Sequence, residues 1–348
     1  MECERLASGA CLPRIVKGGW QLAGGHGPVD RRAAVRDMFA FAEHGITAFD
    51  CADIYTGVET LIGAFLREWR YVYPSRADAI RVHTKCVPDL DGLPTLNATE
   101  VRRIVDRSRR RLGLDTLHLV QLHWWDYEIP GVVRAAEYLT ELRVLGIVQD
   151  IGVTNFNAPQ LERIVAAGVP VVTHQLQYSL LDRRPAGVMT RLCASAGIRM
   201  LAYGSLAGGF LSDTWRLGPE PHDPMENRSL TKYKLILDEF GGWERYQQLL
   251  DVMHDVATAH GVTSGAIAIR WVLDRPGVAA AIVGARDTSH LDETLRTLSI
   301  ALTDNDRALL ERVFAMADGP SGDVYDLERL KGGKHAAIMR YNLNAASE

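Results

Sequence analysis

The chain has 348 residues, 47% hydrophobic and 24% charged, with a formal net charge of −4. That is enough apolar material for a sizeable core, and the weakly acidic balance excludes a global attraction for nucleic acid or anionic membranes. No uninterrupted apolar run reaches the roughly 20 residues of a membrane span, and charges interrupt "MECERLASGACLPR" where a signal peptide would be apolar. Five cysteines, at 3, 11, 51, 86 and 193, are an odd number without CxxC spacing. This argues against a disulfide framework or structural zinc site and suits a reducing compartment. A cytoplasmic protein without a metal centre is the expectation.

Short β-branched or apolar runs then alternate with longer amphipathic stretches. "RIVKGG" precedes a helical pattern from Arg31 to His44, and "ITAFD" leads into Glu59 to Trp69. "AIRVHTK" precedes Ala98 to Leu112, and "LHLVQLH" precedes Gly131 to Leu145. The arginine run of the third of these helices, Arg102 to Arg111, reads as a solvated face opposite Val101, Ile104, Val105 and Leu112. "IVQDIGVTNF" leads to Pro159 through Ala167, "PVVTHQLQY" to Gly187 through Ala196, and "IRMLAYG" to a longer polar region. "VAAAIVG" precedes Ser289 to Leu298. Gly45, Gly113, Gly146, Gly168, Gly197 and Gly277 fall shortly before strands, where helices must stop.

Eight strand candidates separated by helices fit a closed (β/α)8 TIM barrel, an α/β fold, better than an open doubly wound sheet. No GxGxxG follows the first strand, which removes the simplest dinucleotide-fold argument. Two regions exceed the minimal barrel. From about Leu206 to Trp243 the chain is polar and Pro-rich and reads as a long loop after the seventh strand. The tail runs from about Ala317 to Glu348, and its end, "NLNAASE", reads equally as disordered. With no convincing linker, residues 1–348 read as one domain, with the barrel over about 13–316 and the loop and tail over the active-site face.

Function in such a barrel gathers at the C-terminal strand ends. Those ends carry Asp50 with Tyr55 just beyond, Lys85, His123, Thr154 and Asn155, Gln175, and Tyr203. Taken singly, Asp50 ties a turn, Tyr55 packs over a helix, and a strand-end His or Lys belongs to an ion network. Together, an acid, an amine, a phenol and an imidazole on neighbouring strands suit a tuned proton donor. An unperturbed Tyr titrates at about 10, too high for an ideal acid near neutrality, and a nearby ammonium favours its phenolate. Asp50 then serves as counter-ion to Lys85, and His123 hydrogen-bonds a substrate carbonyl. A metal-dependent hydrolase lacks a ligand set: His118 and His123, five apart, fall on opposite strand faces.

These residues bring a family into view. From "GGWQL" to "IVGARDTSHLDE" the chain resembles the aldo-keto reductases, nicotinamide-dependent barrel oxidoreductases. The resemblance implies a tetrad of Asp50, Tyr55, Lys85 and His123, from "FDCADIY", "VHTK" and "VQLHWW". It implies that Thr154, Asn155 and Gln175 cluster at the nicotinamide carboxamide, that Tyr203 stacks on the nicotinamide, and that the backbone of Gly204, Ser205, Leu206 and Gly208 lines the pyrophosphate. Gly19 and Trp20 adjoin the cofactor, and Trp20, Tyr55, His123, Trp124 and Phe156 bound the substrate. Gly284, Arg286, His290, Glu293 and Thr294 fall at the adenosine end. There the sequence departs from the family pattern, with His290 in place of Gln or Arg and Thr294 in place of Asn. Gly204-Ser205 likewise replaces the usual Ser-Pro. Arg286 suits a 2′-phosphate while Asp287 opposes it, so NADP(H) is favoured and NAD(H) stays open. The expected partner is a small carbonyl or alcohol substrate, with no nucleic acid, membrane or metal. The alternative is a nicotinamide-binding regulatory subunit with little turnover.

Overall fold

The computed structural model describes residues 3–344. A hairpin of β1 (Cys3–Arg5) and β2 (Cys11–Pro13) precedes the barrel. The barrel strands are β3 (Ile15–Gly18), β4 (Ala48–Asp50), β5 (Arg81–Cys86), β6 (Leu117–Leu122), β7 (Val148–Thr154), β8 (Val171–Gln177), β9 (Arg199–Tyr203) and β10 (Val278–Gly284). They close in the order β10-β3-β4-β5-β6-β7-β8-β9, every neighbour parallel. This is a (β/α)8 barrel, as the alternation of runs predicts.

Six helices follow strands in the expected places: α1 (Arg31–Glu43), α2 (Val58–Val72), α3 (Ala98–Leu112), α4 (Val132–Val144), α5 (Ala158–Ala166) and α6 (Val188–Ser195). Local chemistry sets their ends. Asp30 accepts from the N–H groups of Arg32 and Ala33, and Asn97 from those of Thr99 and Glu100, satisfying donors that a helix start leaves open. Gly113, at φ 66°, ends α3 in the left-handed region that a side chain disfavours.

Three departures from the sequence reading have physical causes. The segment read as one long loop contains α7 (Arg228–Phe240), capped by Asn227, with Leu230, Tyr233, Ile236, Leu237 and Phe240 buried at helical spacing. After it come α8 (Gly242–His260) and α9 (Ser264–Leu273) before β10. Past β10 lie α10 (Leu291–Arg296) and α11 (Asp304–Phe314), and the tail itself is ordered into α12 (Asp326–Arg329) and α13 (Lys334–Ala337). Ala345 to Glu348 lie outside the described residues. Second, the α3 arginines are not all a solvated face. Arg107 is 6% exposed and pairs with Asp53 at 3.5 Å, while Arg111 donates to the Asp53 carbonyl at 2.9 Å and pairs with Glu59 at 3.3 Å. Buried carboxylates on the strand-β4 side recruit them inward. Third, Cys3 and Cys11 form a disulfide, because the β1–β2 hairpin brings their Cα atoms to 5.7 Å, within bonding range.

The hairpin has a structural task. Leu6 and Leu12 join Val16, Ala48, Leu119, Val172, Leu201 and Ile282 in one apolar cluster that fills the N-terminal end of the barrel. The opposite end, where the polar strand-end residues emerge, is left to the loops, α7 and the tail. Among the described residues, no helix is long and apolar enough to cross a membrane.

Candidate active site

Asp50 is the last residue of β4 and is only 4% exposed. Its carboxylate accepts Lys85 Nζ at 2.7 Å on one oxygen and the Gln175 amide at 2.6 Å on the other, with Gln121 at 3.4 Å. A buried charge so partnered avoids the cost of desolvation without compensation. Gln175, placed by the sequence reading among the cofactor contacts, thus spends its amide N–H on Asp50. Gln121 had no local sequence signal; its role depends on β6 lying beside β5. Gly19 lets the chain approach closely, donating its N–H to the Asp50 carbonyl at 2.8 Å, where a Cβ would stand 2.7 Å from that oxygen.

Lys85, on β5, also donates to the Cys51 carbonyl at 2.8 Å and lies 5.1 Å from the Tyr55 ring centroid. Burial works against its ammonium, but Asp50 and then Tyr55 outweigh it and hold the pKa above the ordinary value. Tyr55 is fixed by the turn after β4, its N–H donating to the Ala52 carbonyl and its own carbonyl accepting from Val58. Its ring meets Trp20 edge-on at 5.0 Å. The expectation that Lys85 lowers the phenol pKa is not met in sum: burial raises it above 10, Lys85 opposes, and Asp50 and Cys51 add to the rise. Cys51 and Cys86 are buried thiols.

His123 follows β6, its N–H donating to the Cys86 carbonyl at 3.0 Å. Its Nδ1 lies 3.2 Å from the Thr154 carbonyl oxygen, which only accepts. The ring proton is therefore spent on Thr154, and a neutral His123 has none left for the substrate carbonyl it was expected to hold. Trp125 meets the ring edge-on at 4.2 Å and Tyr325 at 5.9 Å. Trp124 and Phe156, expected as substrate walls, are completely buried, and Trp124 Nε1 donates to the carbonyls of Asp126 and Ile129. Side chains with no exposed surface offer none to a ligand, whereas Trp125 and Trp20 are half-buried beside His123 and Tyr55.

Tyr203 ends β9 and donates to Asn155 Oδ1 at 2.8 Å. Thr154 and Asn155 close β7, Asn155 in the left-handed region at φ 63°. Beyond Tyr203, Gly204, Ala207, Gly208 and Gly209 all have positive φ. Within this run the Ala207 N–H donates to the Gly204 carbonyl at 2.8 Å and the Gly209 N–H to the Leu206 carbonyl at 2.9 Å. Ser205 is buried beneath this run and Leu206 half-buried. The aromatic face of Tyr203 and the Asn155 carboxamide beside it fit a nicotinamide ring and its amide. Tyr233 of α7 packs on the run so closely that a Cβ at Gly204 would stand 2.2 Å from its hydroxyl and one at Gly208 2.7 Å from its ring. Lys232 beside it reaches the Tyr203 hydroxyl at 3.4 Å, and Ser229 accepts from Trp20 Nε1 at 3.1 Å.

The adenosine-end residues lie on the β10–α10 connection. Gly284 admits the Gln21 side chain, Arg286 is exposed with its guanidinium against Gly27, and His290 is exposed and 3.3 Å from Glu293. Glu293 also accepts from Thr263, and Thr294 is buried.

The tail supplies residues that sequence reasoning did not single out. Arg329 donates to the carbonyls of Trp124 at 2.6 Å, Asn155 at 2.8 Å and Trp125 at 3.2 Å. Glu328, buried, pairs with Arg184 at 3.1 Å, which in turn pairs with Asp182 at 2.7 Å. No strand periodicity marks them; they follow the barrel by some 120 residues of chain beyond β9 and reach it only through folding.

The chain is similar to several known proteins. The chain is 31% identical over 261 residues to flagellar radial spoke protein 5 of Chlamydomonas reinhardtii, covering 64% of this chain and 49%, about half, of that protein. It is 27% identical to the aldo-keto reductase YhdN of Bacillus subtilis, covering 92% and 97% of the two chains. It is 24% identical to the NADH-specific methylglyoxal reductase of Escherichia coli, covering 87% and 94%. The glycerol dehydrogenase AKR11B4 from Gluconobacter oxydans shares the fold at a TM-score of 0.76 and 24% identity, covering 92% and 97%. The model of the aldo/keto reductase family matches residues 14–314. Barrel and sequence together make this chain a member of the aldo/keto reductase family of oxidoreductases.

Proposed function

We propose that the protein interconverts a small carbonyl compound and its alcohol with a nicotinamide cofactor, NADP(H) by preference, and that Tyr55 is its general acid and base. The observation that carries this reading is the buried Lys85–Asp50 pair at 2.7 Å beside Tyr55. A fixed ammonium next to the phenol opposes the burial that would otherwise hold its proton. A bound nicotinamide supplies the hydride in reduction and takes it in oxidation. Tyr55 gives its proton to the carbonyl oxygen, or receives the alcohol proton in the reverse direction. Gln175 and Gln121 keep Asp50 in place, so Lys85 keeps one position through the cycle. Trp20, Trp125 and Tyr325 exclude water from the reacting oxygen.

Replacement of Tyr55 by Phe tests the assignment. NADPH consumption across a panel of aldehydes and ketones is expected to fall by about 100-fold or more, the lower end of the range for removal of a general acid. Cofactor binding, read by nicotinamide fluorescence, should persist. Turnover equal to that of the parent chain would sink the proton-donor role. The cofactor preference rests on exposed Arg286, which suits a phosphate geometrically; Arg286→Ala should raise KM for NADPH and leave that for NADH unchanged.

A further inference from the structure

The tail runs on past α13 to the loop between β5 and α3. There the Leu90 N–H donates to the Tyr341 carbonyl at 3.3 Å and the Asn342 amide to Asp91 at 2.8 Å. The Leu343 and Asn344 N–H groups donate to Asp89 Oδ1 at 2.9 and 3.0 Å. The Asn344 side chain is buried. Its amide donates to the Val87 carbonyl at 2.8 Å and to Asp89 Oδ1 at 2.9 Å, and its Oδ1 accepts from the Arg107 guanidinium. A side-chain amide offers both donors and an acceptor, and Asn344 uses both kinds.

These partners lead to the segments that carry Tyr55 and Lys85. Arg107 pairs with Asp53 at 3.5 Å, and Asp53 lies two residues before Tyr55. Val87 lies two residues after Lys85, and its N–H donates to Asp53 Oδ2 at 3.3 Å. Asn344 thus grips both sides of the Asp53–Val87 bridge, Arg107 through its acceptor and the Val87 carbonyl through its donor. Tyr55 stands in an irregular turn, on neither strand nor helix, so its position depends on such ties. Arg107 is particular to this turn: burial and then Glu59 push the Asp53 carboxyl well above its ordinary pKa, and Arg107 opposes them.

Building on the reading of Tyr55 as proton donor, we propose that Asn344 is a positioning residue for the reaction. It holds Arg107 and the Val87 carbonyl so that the Asp53 turn keeps Tyr55 beside Lys85. The end of the tail then serves catalysis without touching substrate or cofactor. With Asn344 replaced, Arg107 and Val87 lose a shared anchor, and the turn gains freedom at the expense of the proton-transfer geometry. Cofactor affinity is untouched, because none of these partners lies on the Tyr203–Gly209 run or on the β10–α10 connection.

The test is a cycle of four proteins: the parent chain, Asn344→Ala, Tyr55→Phe and the double variant. Each is followed as kcat and KM for NADPH-linked reduction of one aldehyde that the parent turns over, with single-turnover mixing for the slow variants. Asn344→Ala should lower kcat by at least about tenfold, since a misplacement of about 1 Å can cost about 100-fold. KM for NADPH should be unchanged, and cofactor binding read by nicotinamide fluorescence shows that each variant is folded. In the Tyr55→Phe background the same substitution should leave kcat almost unaltered, because the group it positions is gone. A parent-like kcat for Asn344→Ala, or an equal fold-loss with and without the Tyr55 hydroxyl, would overturn the inference and assign the end of the tail to stability. The drop in Tyr55→Phe would then leave the proton-donor reading intact. Parent-like turnover by Tyr55→Phe would overturn both.

Discussion

Tyr55 sits under opposing influences, and they set its pH behaviour. Burial holds its pKa above 10, with Lys85 pulling the other way. The protonated phenol needed for reduction therefore persists through neutrality, and kcat/KM for reduction should decline only at strongly alkaline pH. Oxidation, which needs the phenolate, should rise with pH toward the same limit. Because His123 stays neutral down to about 3, neither profile should bend near 6.5, where a free imidazole titrates. A pH–rate study in both directions checks this, and a break near 6.5 that His123→Leu removes would refute it. Asp50→Asn gives a second residue-scale expectation. It leaves Lys85 buried without a carboxylate, at a cost of about 3–5 kcal/mol for a broken buried pair, readable as a lowered urea midpoint with reduced kcat. The placement of Asp50, Tyr55, Lys85 and His123 was legible in the sequence, because each stands at or just past a strand end. The proton placement on His123 was not, since it depends on a carbonyl of another strand.

At the scale of elements, α7 and α12 dock on the barrel mouth from opposite directions in the chain. The α7 helix was legible in principle: Asn227 is a good cap, and its apolar residues recur at helical spacing. The preceding "RLGPEPHDPMENRS" obscured it by extending a loop signal too far. By contrast, α12 is four residues long and carries no periodic signal. Its Arg329 ties three carbonyls of the β6 and β7 loops, so Arg329→Met should loosen the wall around His123. KM for the carbonyl substrate is expected to rise several-fold with a smaller change in kcat, as steady-state kinetics would show; an unchanged KM would assign α12 to stability alone.

For the whole molecule, the buried neutral histidines govern acid stability. His83, His123 and His174 each have a pKa brought down to about 3, burial being the first cause, with Arg81 adding at His83 and Arg329 at the other two. Between about 3 and the unfolded value of 6.5, the unfolded chain binds more protons than the folded one. Stability therefore rises with pH over that window and is lost as pH falls from 6.5. Each such histidine contributes up to about 1.4 kcal/mol per pH unit. Urea unfolding from pH 7 to pH 5 should show the decline, and His174→Gln, which keeps an acceptor for the Phe156 N–H, should flatten it by about one proton.

The sequence by itself determined the barrel, its strand succession and the six helices that follow β3 to β8, and it put Asp50, Tyr55, Lys85 and His123 at or just past strand ends. These depend on local periodicity, on glycine at helix stops, and on the rule that strand ends converge in a closed parallel barrel. Tertiary structure alone decided what the sites touch. Arg107 turned inward because Asp53 lies buried behind it, and Trp124 and Phe156 joined the buried apolar core. Tyr55 gained rather than lost basicity because desolvation outweighed one ammonium. Cys3 met Cys11 because a short hairpin paired. Each of these outcomes turns on a distance between side chains, and no single stretch of sequence contains it.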